Sequence, residues 1–295
     1  MGRDLAAASE TAAAIFREAD LRCGLPLAAL CFQGSEAELA RTEITQPALV
    51  AVSTAAYRVF RERGGSAPAA AAGHSLGEYS AHVAAGTLTF GDAVAAVHAR
   101  GRFMQEAVPE GVGAMAAILG IERAALERVC ASAAEGEVVS CANFNGPGQI
   151  VIAGHTAAVE RASKAALAAG AKRAIPLAVS APFHCELMRP AAERLAPVLA
   201  ATSFSDPSLP VYTNVDATPV AAGGPARDAL LRQVEAPVRW DEEMSRLLED
   251  GHDTFVEFGP GKVLSSLVKR MRREATALPV GDTDGIDAAL KELAR

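Results

Sequence analysis

Apolar positions recur at helical spacing through most of the first 110 residues. The stretch from Ala6 to Cys23 is periodic in this way and predicts a helix. From Gln46-Pro47 to Arg61, Leu49, Val52, Ala56, Val59 and Phe60 fall on one face, which predicts a long amphipathic helix with proline at its entrance. Gly64-Gly65 ends that region. A short apolar run entered through Pro68 reads as a strand, and Leu76 to Ala85 as the helix after it. Phe90-Gly-Asp92 then caps a further helix to about Val108, which carries Arg100 and Arg102.

From Gly111 the pattern shortens. Strands are predicted at Gly113–Leu119, Glu137–Ala142, Gln149–Ala153 and Lys172–Val179, with helices at Glu122–Ala133 and Ala157–Ala169. That βαββαβ order is the ferredoxin-like arrangement. Asn143-Phe-Asn-Gly-Pro-Gly148 reads as the turn between the middle strands. Beyond it, helices are expected at Leu187–Ala201, Arg227–Val234 and Asp241–Glu249, and strands at Pro210–Asn214 and Thr254–Phe258. Gly259-Pro-Gly-Lys262 turns into a last helix ending in Lys269-Arg-Met-Arg-Arg273. Strands alternating with helices predict a mostly parallel sheet covered on both faces. The expected fold is therefore α/β. A large α/β-hydrolase-like domain (1–110 and 181–295) carries an inserted ferredoxin-like subdomain (111–180).

Composition narrows the possibilities. Half of the 295 residues are hydrophobic and 21% charged, enough for a sizeable core. The formal net charge of −7 argues against nucleic acid as the main partner. Five scattered cysteines, Cys23, Cys31, Cys130, Cys141 and Cys185, lack C-x-x-C spacing and read as reduced thiols. No run approaches the ~18 apolar residues of a membrane span, and the N-terminus lacks signal-peptide character, so a cytoplasmic protein is expected. No metal or redox cofactor is implied.

The candidate chemistry begins at Gly73-His-Ser-Leu-Gly77, a G-x-S-x-G nucleophile elbow. Glycines suit a serine on a sharp strand-to-helix turn, where the backbone passes close to itself. The helix after it favours negative charge near Ser75. A serine needs a base. His74 adjoins Ser75 and points elsewhere, though into the same pocket; His82 and His98 sit on helix faces, and His155 and His252 in turns. His184 follows Ser180-Ala-Pro-Phe183, where the chain re-enters the large domain and faces the cleft between the two parts. The pattern leaves it open between a base and a packed histidine. Arg100, followed by Gly101, is similarly open between a carboxylate anchor and a surface arginine. A Cys185–His184 pair is disfavoured because adjacent side chains diverge.

Five segments in register then carry a family resemblance: Gly73-His-Ser-Leu-Gly-Glu-Tyr-Ser80, Arg100-Gly-Arg-Phe-Met-Gln105, Asn143-Phe-Asn-Gly-Pro-Gly-Gln149, Ser180-Ala-Pro-Phe-His184 and Gly259-Pro-Gly-Lys262. Together the chain resembles the malonyl-CoA:acyl-carrier-protein transacylases of dissociated fatty acid synthesis. The resemblance implies Ser75 as the nucleophile and His184 as the base, oriented by the backbone carbonyl of Gln233. It implies the Leu76 N–H as an oxyanion donor and Arg100 as the partner of the malonyl carboxylate. His74, Met104, Asn143, Asn145 and Phe183 would line the pocket. The implied partners are malonyl-CoA and the phosphopantetheine arm of an acyl carrier protein. An acidic carrier would need a basic patch, which Lys269, Arg270, Arg272 and Arg273 offer.

Family members begin with a strand and a Gly-Gln-Gly-Ser-Gln loop ahead of a stretch like Met1-Gly-Arg-Asp-Leu5. The expectation is that the true start lies upstream, and that a chain starting at Met1 has low stability and activity. Three other readings stay open: a discrete polyketide-synthase acyltransferase, a serine thioesterase or other hydrolase, and a non-catalytic carrier-binding relic of the fold. Rapid CoA release without carrier would favour the hydrolase. Carrier binding without acyl-serine would favour the relic.

Overall fold

Ser9 divides the first predicted helix. In the computed structural model, which describes residues 1–179 and 181–295, helix α1 spans Arg3–Ala8 and α2 spans Glu10–Cys23. Ser9 is extended, and its hydroxyl accepts from the N–H of Ala12, which makes it the N-cap of α2. Two short helices that periodicity missed follow, α3 (Leu27–Gln33) and α4 (Glu36–Leu39), the second opened by a reciprocal Ser35/Glu38 capping box. Helix α5 (Thr42–Glu62) starts four residues ahead of the expected Gln46, so Pro47 lies within it. Proline has no N–H for the Glu43 carbonyl one turn back. His98 takes that place, its Nδ1 lying 3.1 Å from the Glu43 oxygen. A histidine on a neighbouring helix thus allows the helix to run through its proline.

Helix α6 (Gly77–Ala84) follows the elbow, and α7 (Phe90–Glu106) is capped by the Thr89 hydroxyl, which accepts from the N–H of Asp92 at 3.1 Å. Helices α5 and α7 pack closely at Gly101. A Cβ there would lie 2.5 Å from the Thr42 carbonyl oxygen and 2.9 Å from Glu43 Cα. Gly101 therefore serves the approach of another backbone. Gly101→Ala should destabilise by about 1–3 kcal/mol through overpacking. Thermal melting would detect this as a shift of roughly 2–4 °C per kcal/mol, and an unchanged Tm would show that the helices part freely.

The middle of the chain forms a four-stranded antiparallel sheet from β1 (Gly113–Leu119), β2 (Val139–Gly146), β3 (Gln149–His155) and β4 (Arg173–Pro176), in the order β2-β3-β1-β4. Helices α8 (Arg123–Ala133) and α9 (Thr156–Ala168) cover one face. The two-residue strand period sends Ile118, Ile150 and Ile152 towards Leu126 and Val159 under those helices. Met115, Val151 and Ala153 point the other way, onto Cys185 and Phe183. The expected turn at 143–148 is corrected. Strand β2 continues to Gly146 through two irregularities in register, so Asn143 and Asn145 are strand residues.

After a 3-10 turn at Glu186–Met188, the chain forms α10 (Arg189–Ala201), the short strands β5 (Val211–Tyr212) and β6 (Pro219–Val220), α11 (Gly223–Arg232) and α12 (Trp240–Glu249). Then come β7 (Thr254–Phe258), α13 (Val263–Met271) and two elements the pattern did not predict, β8 (Thr276–Val280) and α14 (Thr283–Leu293). The fold is mixed α/β. Its parallel pairing, expected as one sheet, comes in separate pieces among the described residues. Strands β7 and β8 pair in parallel, and Ala71 ahead of the elbow forms a parallel bridge to Val211. An apolar cavity of about 370 Å³ lies between those pieces, lined by Ala69 to Gly73 on one side and Phe255 and Val256 on the other. Among the described residues no helix is long and apolar enough to cross a membrane.

Candidate active site

Ser75 sits between the Ala71 bridge and α6 with φ +51°, a left-handed conformation that L-residues rarely adopt. The two elbow glycines are not equivalent. A Cβ on Gly73 would lie 2.0 Å from the Gly77 carbonyl oxygen, whereas one on Gly77 would meet nothing within 4 Å. The steric demand therefore falls on Gly73. Leu76 stands at the N-cap of α6, so its N–H belongs to the helix end that leaves donors without intrahelical acceptors.

Ser75 Oγ lies 2.7 Å from His184 Nε2. His184 also has a positive φ, +60°. Its Nδ1 is 2.8 Å from the Gln233 carbonyl oxygen. A carbonyl can only accept, so Nδ1 carries the hydrogen and Nε2 is left to accept from the serine. His184 is 3% exposed. Burial pushes the imidazole down to about 3, with the nearby Arg100 charge adding to the effect and the Gln233 carbonyl opposing it. Ser180, in the same segment, lies outside the described residues.

Arg100 comes in from α7. It is 1% exposed, and no carboxylate lies within ion-pair distance among the described residues. Its donors go to neutral acceptors instead: Nη1 to Gln46 Oε1 at 2.7 Å, and Nη2 to Gln233 Oε1 at 2.9 Å and to Ser75 Oγ at 3.1 Å. Its Nε is buried without a partner. Burial lowers its pKa, while Tyr79 and Glu78 oppose the shift. The arrangement is a guanidinium beside a serine hydroxyl, a planar set of donors of the kind that pairs with a carboxylate.

Beneath the elbow lies a polar cluster that the sequence did not reveal. Asn214 accepts from the Ser75 N–H at 2.6 Å and donates to the Gly73 carbonyl and Glu243 Oε2, each at 2.8 Å. Glu78 accepts from the Asn214 N–H at 3.0 Å and from Gln233 Nε2 at 2.7 Å. Glu78, Asn214, Gln233 and Glu243 are all fully buried. Burial pushes Glu78 up to about 7 and Glu243 well above the carboxylate range. Gln233 thus contributes its side chain as well as its carbonyl.

The other predicted residues divide. His74 Nε2 is 2.8 Å from Asn145 Oδ1, and its ring stands against Trp240. Met104 is buried, its sulfur 3.7 Å from Gln46 Nε2, one contact removed from Arg100. Asn143 is buried where β2 meets Val238 in a backbone bridge. Phe183 packs between the core under the small sheet and that of the larger part. His155 Nδ1 accepts from the Val138 N–H at 2.9 Å, a local structural contact. His82 is buried in α6, its Nε2 3.9 Å from Glu78. Burial pushes the Cys185 thiol up to about 11, which leaves no reactive Cys–His pair there. Lys269, Arg270, Arg272 and Arg273 are exposed, and none is paired with a carboxylate among the described residues.

A family model described as an acyl transferase domain matches residues 1–286. A malonyl CoA-acyl carrier protein transacylase of Escherichia coli K12 is 51% identical over 288 residues, covering 98% of this chain and 93% of that protein. One from Bacillus subtilis 168 is 48% identical over 294 residues, covering 99% and 92%. Among solved structures, a malonyl CoA-acyl carrier protein transacylase from Coxiella burnetii superposes with a TM-score of 0.97 at 42% identity, over 100% of this chain and 93% of that one. A malonyl-transacylase in complex with its holo type II PKS acyl-carrier protein superposes with a TM-score of 0.96 at 49% identity, over 99% and 94%.

Proposed function

We propose that this chain, which belongs to the acyl transferase domain family, moves a malonyl group from CoA to the phosphopantetheine thiol of an acyl carrier protein. The observation that carries this reading is Arg100, a buried cation without a carboxylate partner among the described residues, 3.1 Å from a serine hydroxyl that is itself 2.7 Å from an imidazole. In a malonyl-serine, the free carboxylate carbon lies three bonds from Oγ, within reach of that guanidinium.

The chemistry follows in two half-reactions. As Ser75 Oγ attacks the thioester carbonyl, its proton passes to His184 Nε2 and the oxyanion develops beside the Leu76 N–H. The C–S bond then breaks, and His184 returns the proton to the departing CoA sulfur. The carrier thiol next gives its proton to His184 and attacks the malonyl-serine, and Ser75 recovers a proton as it leaves, a ping-pong cycle. The Gln233 carbonyl keeps the imidazole in the required tautomer, the part an acid plays in other triads. His74, Asn143, Asn145, Met104 and Phe183 shape the pocket, and the four basic residues at the end of α13 receive the acidic carrier. We read the small sheet, with strand order β2-β3-β1-β4, as a ferredoxin-like subdomain on a hydrolase-like domain. The product feeds fatty acid synthesis. Likeness to a transacylase bound to a PKS carrier favours polyketide assembly as the second reading.

Intact mass spectrometry after brief exposure to malonyl-CoA or acetyl-CoA tests the proposal. One malonyl adduct is expected, absent with acetyl-CoA and absent in Ser75→Ala. An adduct that survives Ser75→Ala, or equal labelling by both thioesters, would overturn it.

A further inference from the structure

We infer that Asn214 is a positioning residue for the nucleophile, an amide clamp that holds the strained Ser75 turn from both sides and is itself held by Glu78 and Glu243. This rests on Ser75 being the acylated residue. The geometry engages both ends of the amide. Its Oδ1 accepts from the Ser75 N–H at 2.6 Å, with Gln233 Nε2 lying 3.2 Å away. Its Nδ2 donates to the Gly73 carbonyl and to Glu243 Oε2, each at 2.8 Å. The groups on either side of the amide are of fixed kind, an N–H against Oδ1 and a carbonyl against Nδ2, so only one orientation fits. The backbone N–H of Asn214 is fixed in turn on Glu78 Oε2 at 3.0 Å.

Two features separate this from an ordinary buried asparagine. Its contacts fall on Gly73, where the backbone passes close to Gly77, and on Ser75, which adopts φ +51°. A non-glycine residue in that region is held there only when its surroundings over-determine it. The cluster also reaches all three proposed active groups. Gln233 Nε2 donates to the Ser75 carbonyl at 3.0 Å and to Glu78, while Gln233 Oε1 holds Arg100 and its carbonyl holds His184. If the turn relaxes, Oγ leaves its 2.7 Å contact with His184, yet Arg100 keeps Gln46 and Gln233. The clamp thus acts on the serine more than on the anion site.

Asn214→Asp keeps the shape but sets an oxygen against the Gly73 carbonyl and the Glu243 carboxyl. Single-turnover CoA release from malonyl-CoA should slow by about 10²-fold, the effect of an ångström's misplacement. Dissociation constants for a non-transferable malonyl-CoA analogue, with CH₂ replacing the thioester sulfur, should change by less than about threefold. Adding Glu243→Gln supplies an N–H to the new carboxylate and should recover part of the rate. Asn214→Ser, which loses the reach to Ser75, should show the same split between rate and binding if the aspartate variant does not fold. Binding that weakens in step with the rate, or no recovery in the double variant, would overturn the inference and leave Asn214 a general structural residue. A missing adduct in the unaltered protein would instead overturn the proposed function, so the two failures are distinguishable.

Discussion

Exchange of His184 for alanine is expected to slow malonyl-serine formation by roughly 10⁴-fold, the upper range for loss of a positioned general base. Among the described residues the serine hydroxyl would keep only Arg100 in hydrogen-bond reach, and a cation accepts no proton. Rapid-quench mass spectrometry of the adduct measures this directly, and a loss below tenfold would remove His184 from the role. The pH profile carries a second, independent expectation. In the free protein His184 is pushed down to about 3, first by burial and then by Arg100. Its imidazole is therefore neutral across the ordinary range but a weak base. A malonyl carboxylate on Arg100 cancels the neighbouring charge and must raise the His184 pKa in the complex. The acid limb of kcat, which reports the complex, should then lie at higher pH than the acid limb of kcat/KM, which reports the free enzyme. Coincident limbs near the ordinary imidazole value of 6.5 would contradict this. Stability follows the matching sign. The folded pKa is below the unfolded one, so the unfolded state takes the extra proton, and this contribution is lost as pH falls from about 6.5 towards 3.

What could be read from the residues was local. Gly73 and Ser75 announce a sharp turn because the steric conflict is between neighbours in sequence. His184 and Arg100 stood out by position, one at the junction after the small sheet and one beside a glycine in a helix. The clamp beneath the elbow was hidden because its members meet only through tertiary structure, Asn214 being 139 residues from Ser75. One signal was available. Glu243 falls three residues after Trp240 on the face that also buries Met244 and Leu247, so a carboxylate interrupts an apolar stripe. Such an interruption points to a buried partner. Glu78 and His82, four apart on the elbow helix, repeat it. Helix α5 starts ahead of the position the pattern predicts for a related reason: the preference for proline in the first turn takes no account of a histidine on α7 that can serve the orphaned carbonyl. The sheet comes in pieces because, among the described residues, the run from Pro68 pairs only at Ala71.

Arg100→Met is expected to reverse the choice of acyl group. A malonyl carboxylate brought into the unaltered site meets two N–H groups that now serve neutral oxygens, and the one on Ser75 Oγ is free to turn once that oxygen becomes an ester. Removing the cation leaves the carboxylate buried and unpaired, which costs about 3–5 kcal/mol. The corresponding fall in kcat/KM for malonyl-CoA is roughly 10²–10⁴-fold. Acetyl-CoA is affected with the opposite sign. In the unaltered protein it would bury Arg100 opposite a methyl group and gain nothing; with methionine the same methyl meets an apolar surface of similar length. Its kcat/KM should therefore rise while that for malonyl-CoA falls. Arg100→Lys separates charge from shape. It keeps the cation but loses the planar fork that serves Gln46 and Gln233 together. It should retain the preference for malonyl-CoA at a reduced rate. If methionine lowers both substrates equally, Arg100 braces Gln46 and Gln233 without reading the acyl group, and selectivity lies elsewhere in the pocket.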